Sequence, residues 1–244
     1  MSLELLLVFV AGIFLVAVLY SSVGHAGASG YIAIMSLLSL SPAVIKPTAL
    51  ALNILVAAIA TVQFVRAGYF SWSLFWPFAI LAVPFAFAGG YIDLPAHAFK
   101  VVVGIILLYS AARFLLTSQV EKPAAEPPRI AALATGAVIG FLSGLTGTGG
   151  GIFLTPLLLS MRWAHAKSAA AVSALFILLN STAGLLGNFS STKVLPSYIL
   201  PLLAAAALGG LIGSHIGSRK LAPSGIKRFL AVVLLIAGAK LILT

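Results

Sequence analysis

Cysteine is absent from the 244 residues, and aspartate and glutamate together number only four. Without thiols there is no disulfide, no cysteine nucleophile and no cysteine-ligated metal. The four carboxylates are Glu4, Asp93, Glu121 and Glu126, and none lies well inside an apolar segment. Cation transporters and proton pumps place Asp or Glu within the membrane; here a cation would meet only carbonyls and hydroxyls. Charged residues make up 7% of the chain, too few for a soluble domain. A Walker loop, an HExxH helix and a nucleophile elbow are all missing, so ATP-driven transport and hydrolysis have no motif behind them. His97, His165 and His215 lack metal-ligand spacing. The expectation is a protein that is not an enzyme, with no catalytic residues, no metal and no cofactor.

What is present is apolar: 61% of the residues are hydrophobic. Runs of spanning or near-spanning length fall at 3–20, 31–40, 48–65, 74–91 and 99–116, and again at 130–143, 152–161, 168–186, 198–216 and 226–243. Between the two sets, residues 117–129 carry Glu121, Lys122, Glu126 and three prolines, and read as an exposed linker. The fold expected is an all-α polytopic membrane protein: a first membrane repeat at 1–118, a cytoplasmic linker at 119–129 and a second repeat at 130–244. The first run lacks a basic start, Glu4 being its only early charge, and reads as a retained helix. The net charge of +10 would suggest nucleic acid in a soluble protein. Here the basic residues stand at the ends of apolar runs, where they anchor at headgroups, so lipid is the expected partner and nucleic acid is not.

The two sets of segments correspond. Gly24, Gly27 and Gly30 fall on Gly144, Gly147 and Gly150 at one constant offset, and Thr48-Ala49 falls on Ser168-Ala169 at the same offset. Ala112-Arg113 lies opposite Ala239-Lys240 after small insertions. Residues 3–40 as one helix would be roughly 57 Å long against a bilayer core of about 30 Å, so the segment crosses twice or enters and returns. With three further helices each half holds an odd number, which inverts the second half relative to the first. The basic residues lean the same way. Arg66, Arg113, Lys122, Arg129, Arg162, Lys167, Arg219, Lys220, Lys227 and Arg228 fall on one expected side, with Lys46, Lys100 and Lys193 opposite. That puts the linker in the cytoplasm and both termini outside. The short runs 31–40 and 152–161 read as half-helices or re-entrant arms after a glycine-rich break.

The breaks organise the chain. The first reads Ser-Ser-Val-Gly-His-Ala-Gly-Ala-Ser-Gly over 21–30, and the second Gly-Leu-Thr-Gly-Thr-Gly-Gly-Gly over 144–151. Five glycines in eight residues disfavour a helix interior by roughly 1 kcal/mol each. A helix that starts after such a break points free N–H groups at the gap, a geometry that suits anions. The expected substrate-binding residues are Ser22, Gly24, His25, Gly27, Ser29 and Gly30 from the first break, and Thr146, Gly147, Thr148, Gly149, Gly150 and Gly151 from the second. Asn53 and Asn180, inside apolar helices, join them; an interhelical hydrogen bond is the plainer role for both, as for Gln63. Arg66 and Arg113, at helix ends, are expected to snorkel, with a place in the site as the alternative for Arg66. Donor-rich and poor in negative charge, this site suits a small anion.

These stretches resemble the sulfite exporter TauE/SafE-like family of membrane permeases. The resemblance rests on Gly-Leu-Thr-Gly-Thr-Gly-Gly-Gly-Ile-Phe-Leu-Thr-Pro over 144–156, with the first-half break, and extends over nearly the whole chain. The first break departs from the commoner Gly-Gly-Gly form, having Ala28-Ser29-Gly30-Tyr31 there. The resemblance implies transport of sulfite, a sulfonate or a sulfoacetate-like anion across the inner membrane, more readily as export, with a homodimer possible. Two other functions stand beside it: a non-transporting scaffold or accessory subunit whose glycines only pack helices, and an intramembrane enzyme using His25 and a serine.

Overall fold

The computed structural model describes residues 3–116, 125–191, 195–219 and 224–243. Glu121, Lys122, Lys193 and Lys220 lie outside them, as does most of the expected linker and the side chains of Lys227 and Arg228. The described residues form ten helices and no strand. In chain order these are α1 (Leu3–Ser21), α2 (Ala28–Leu37), α3 (Pro42–Arg66), α4 (Trp72–Tyr91), α5 (Ala96–Leu116), α6 (Arg129–Thr146), α7 (Gly151–Ser160), α8 (Ala166–Ser191), α9 (Ile199–Arg219) and α10 (Ser224–Leu243). Seven are long and apolar enough to cross a membrane, so the protein is a multi-pass membrane protein. Helices α2 and α7 have ten residues each, about 15 Å, half a hydrocarbon core.

Glycine decides which helices approach most closely. Along α6, Gly136, Gly140 and Gly144 face the carbonyls of Phe78, Ala82 and Ala86 on α4. Along α9, Gly209 and Gly213 face the carbonyls of Phe14 and Val18 on α1, and Gly217 faces that of Ser22 just beyond it. A residue every four turns one stripe of a helix toward its neighbour, and without a Cβ the backbones can touch. In lipid, where apolar burial drives little association, such contact is what holds helices together. Helix α1 therefore packs on α9 and α6 on α4, while α3 and α8 cross at the centre and α5 lies against α10.

Several boundaries differ from those the apolar pattern suggests. Helix α3 begins at Pro42, six residues before the apolar run, because Pro42 sits at the helix N-terminus, where its missing N–H costs nothing. Lys46, expected at an interface, is thereby carried inside and is only 4% exposed. Its Nζ donates to the Gly90 and Ile92 carbonyls at 2.8 Å each, at the end of α4, and lies 3.9 Å from Asp93. The breaks are also shorter than expected. Ser29 and Gly30 are already in α2, Gly144 and Thr146 are still in α6, and Gly151 opens α7. Trp72 and Trp76 are exposed on α4, as interface residues are.

Candidate functional site

The first break runs from Ser22 to Gly27. A turn closes the end of α1, with the Gly24 N–H bonding the Ser21 carbonyl and the His25 N–H the Tyr20 carbonyl. Gly24 and Gly27 have φ of 80° and 107°, left-handed values that glycine adopts without strain. Around them the chain is held by aromatic hydroxyls. The Tyr31 hydroxyl donates to the Ala26 carbonyl at 2.8 Å, and the Ser29 hydroxyl donates to that of Tyr20 at 3.0 Å. The His25 ring, 5% exposed, sits edge-on to Tyr20 with centroids 6.4 Å apart. Ser22 turns its hydroxyl back to the Leu19 carbonyl at 2.7 Å.

The second break runs from Gly147 to Gly150, and three of its four residues are left-handed: Gly147, Gly149 and Gly150, with φ of 80°, 74° and 84°. Backbone here meets side chains of the two central helices. Asn53 of α3 donates from Nδ2 to the Thr148 carbonyl at 3.5 Å and to the Ser181 hydroxyl of α8 at 3.3 Å. A Cβ at Gly149 would lie 2.8 Å from Ser181 Oγ and closer still to Asn53. A Cβ at Gly147 would lie 3.1 Å from the Lys46 carbonyl. The hydroxyls of Thr146 and Thr148 are 3.1 Å apart.

The breaks approach each other. His25 Cδ2 lies 3.5 Å from the position of a Cβ on Gly151, beside Ile177 of α8. Helix α2 starts from left-handed Gly27 and α7 from left-handed Gly150, and neither start has a side-chain cap. The positive end of each short helix is equivalent to roughly half a charge. Asn180 stands apart from this contact: its Nδ2 donates to the Phe176 carbonyl of its own helix at 2.8 Å. Gly24 packs on Ala170, and Gly30 faces Val16 and Tyr20 across the α1–α2 contact. The amide oxygens of Asn53 and Asn180 and the hydroxyls of Thr48 and Ser143 are buried without a hydrogen-bond partner among the described residues. Buried polar groups are seldom left so. Among the described residues no group of His, Cys, Asp and Glu could hold a metal ion.

Four residues escaped the sequence pattern. Lys46 looked interfacial because it lies outside its apolar run. Ser181 is one of many serines in small-residue helices. Arg113, expected to snorkel, instead donates to the Pro156 carbonyl near the end of α7 at 3.3 Å. Lys240 does the same for α2, reaching the carbonyls of Ser36 and Leu37 at 3.2 and 2.8 Å. The alignment of Arg113 with Lys240 was the available signal.

A family model described as Sulfite exporter TauE/SafE matches residues 8–241. The chain is 47% identical over 235 residues to the "Probable membrane transporter protein y4hK" of Sinorhizobium fredii, a match covering 94% of this chain and 95% of that protein. It is 34% identical over 110 residues to the "Probable membrane transporter protein YunE" of Bacillus subtilis, covering 45% of this chain and 40% of that one. No solved structure matches it.

Proposed function

The chain belongs to the sulfite exporter TauE/SafE family and is a membrane transporter, and on that premise we propose that it exports a small sulfur-containing oxyanion, held where its two glycine breaks meet. The observation that carries this is the approach of His25 to Gly151: the ring Cδ2 lies 3.5 Å from where a Cβ on Gly151 would stand, and both residues are buried beside short helices that start from a left-handed glycine. Backbone N–H groups there supply donors without adding fixed charge, so an anion is held but can still leave. The amide oxygens of Asn53 and Asn180, buried without a partner among the described residues, add acceptors to those donors. An oxyanion that keeps one proton, as hydrogensulfite does, satisfies both.

The inverted duplication belongs to the same proposal. It is supported by the close pairs α1·α9 and α4·α6, which exchange if the first five helices are swapped with the last five. It is supported too by the basic clamps on α2 and α7, which come from the corresponding helices α10 and α5. Rocking of one five-helix unit against the other then exposes the breaks to either side. An anion leaving a cell that is negative inside moves downhill by about 2.3 kcal/mol per charge per 100 mV, so export runs without a coupled cation.

The test is flux in proteoliposomes holding sulfite, sulfoacetate, taurine or thiosulfate, with the potential set by potassium gradients. Saturable efflux of at least one of them is expected, rising with an outward-driving potential and lost in Gly147→Val. No saturable flux of any of the four at any potential sinks the proposal. Wild-type flux in Gly147→Val takes that glycine out of the site.

A further inference from the structure

Away from the breaks, a cleft of about 680 Å³ lies between the last turns of α3 and α9, a size within the usual range for small-ligand sites. Its walls include Ile59, Val62 and Leu211, and its mouth is formed by Arg66, His215 and Arg219. Val62 is 47% and Leu211 48% exposed, so the walls lie on the outer surface of the bundle, away from buried Asn53 on the other face of α3. Gln63 bridges the two helices by donating to the Leu211 carbonyl at 3.2 Å. Both arginines close spanning helices, which sets them at headgroup depth with the apolar walls reaching into the hydrocarbon.

We propose that this cleft is a binding site for one anionic phospholipid, its phosphate between Arg66 and Arg219 and an acyl chain along Val62 and Leu211. Helix-end arginines commonly serve only to complement a helix dipole or to snorkel. Three observations go further. The two arginines converge on one cleft from different helices, neither makes a hydrogen bond or ion pair among the described residues, and the cleft walls are apolar and face lipid. A second copy of the chain is a poor occupant. With 14 basic residues and four acidic ones, it has few carboxylates to offer the two arginines. Basic pockets between membrane helices suit phosphate headgroups, and each arginine near such a surface contributes about fivefold in affinity.

Native mass spectrometry of the detergent-purified full chain, titrated with phosphatidylglycerol or phosphatidylcholine, tests this. One phosphatidylglycerol is expected to bind preferentially, with about 30-fold weaker binding in the Arg66→Gln/Arg219→Gln double variant. The Arg66→Lys/Arg219→Lys pair should recover part of that loss. Val62→Trp, which fills the cleft without touching a charge, should weaken binding as well, and the exposure of all three positions leaves folding intact. Equal affinity for the two lipids, or a preference that survives the double glutamine variant, overturns the proposal. So does displacement of the lipid by millimolar inorganic phosphate, which marks a free-anion site, or a dimer whose formation excludes the lipid and is cross-linked through position 62.

Discussion

The two breaks occupy matching places in the chain but keep their shape by opposite means. The first is held by side chains: the rings of Tyr20, His25 and Tyr31 surround it, and the Tyr31 hydroxyl ties down the Ala26 carbonyl. The second is almost bare backbone, with three left-handed glycines in four residues, and its supports come from elsewhere, namely Asn53 and Lys46 of α3 and Ser181 of α8. The first break should therefore tolerate loss of an atom better than the second tolerates its gain.

The sharpest way to break that comparison is a single methyl. Gly149→Ala forces an alanine into left-handed backbone and drives its Cβ against Asn53 and Ser181. Strain and overpacking together should cost about 2–5 kcal/mol, read as a lower unfolding temperature in detergent, with transport lost. Gly68→Ala is the control. Gly68 has a similar φ of 78° but nothing within 4 Å of its Cβ, so only the conformational cost of roughly 1–2 kcal/mol remains. If the two substitutions cost the same, the contacts around the second break contribute nothing.

Lys46→Met comes next. Lys46 flanks the second break and bonds two carbonyls at the end of α4, whereas the first break has no such cation against it among the described residues. Losing charge-assisted bonds to buried carbonyls should cost about 2–3 kcal/mol. Tyr31→Phe, the matching cut at the first break, removes one neutral bond and should cost about 1 kcal/mol. Equal losses would erase the difference between side-chain and backbone support.

Much of this was legible in the residues and some was not, for physical reasons. Apolar runs and the repeated Gly-x-x-Gly-x-x-Gly spacing mark ten segments and two breaks. Glycine alone, though, does not say whether it bends a chain or packs a helix. Gly144 and Gly30 sit beside the break glycines in sequence yet are helical, and they serve contact with α4 and α1. Only the partner across the gap separates the two uses, and that partner is far away in the chain. Lys46 was hidden for the same reason. A lysine outside an apolar run reads as surface until carbonyls more than forty residues away are found to bind it. His25 stands out in sequence as a lone histidine among glycines, but its approach to Gly151, more than a hundred residues away, is visible only in the fold.

The finest comparison concerns the far ends of the short helices. Arg113 binds the Pro156 carbonyl of α7, and Lys240 binds carbonyls of Ser36 and Leu37 on α2. A cation at a helix C-terminus contributes about 0.3–1 kcal/mol through the dipole, and up to about 2 kcal/mol when partly buried. Arg113→Gln and Lys240→Gln should each fall near 1 kcal/mol, with Lys240→Gln the larger because Nζ also reaches Ser39 at 3.2 Å. The informative number is their sum. If α2 and α7 were independent anchors, the double variant would lose the sum of the single losses within about 0.5 kcal/mol. If the approach of His25 to Gly151 near the opposite ends of these helices carries load, loosening one releases part of the other. The double variant should depart from additivity by more than that margin in chemical unfolding, while strict additivity would mean that the two breaks meet without sharing load.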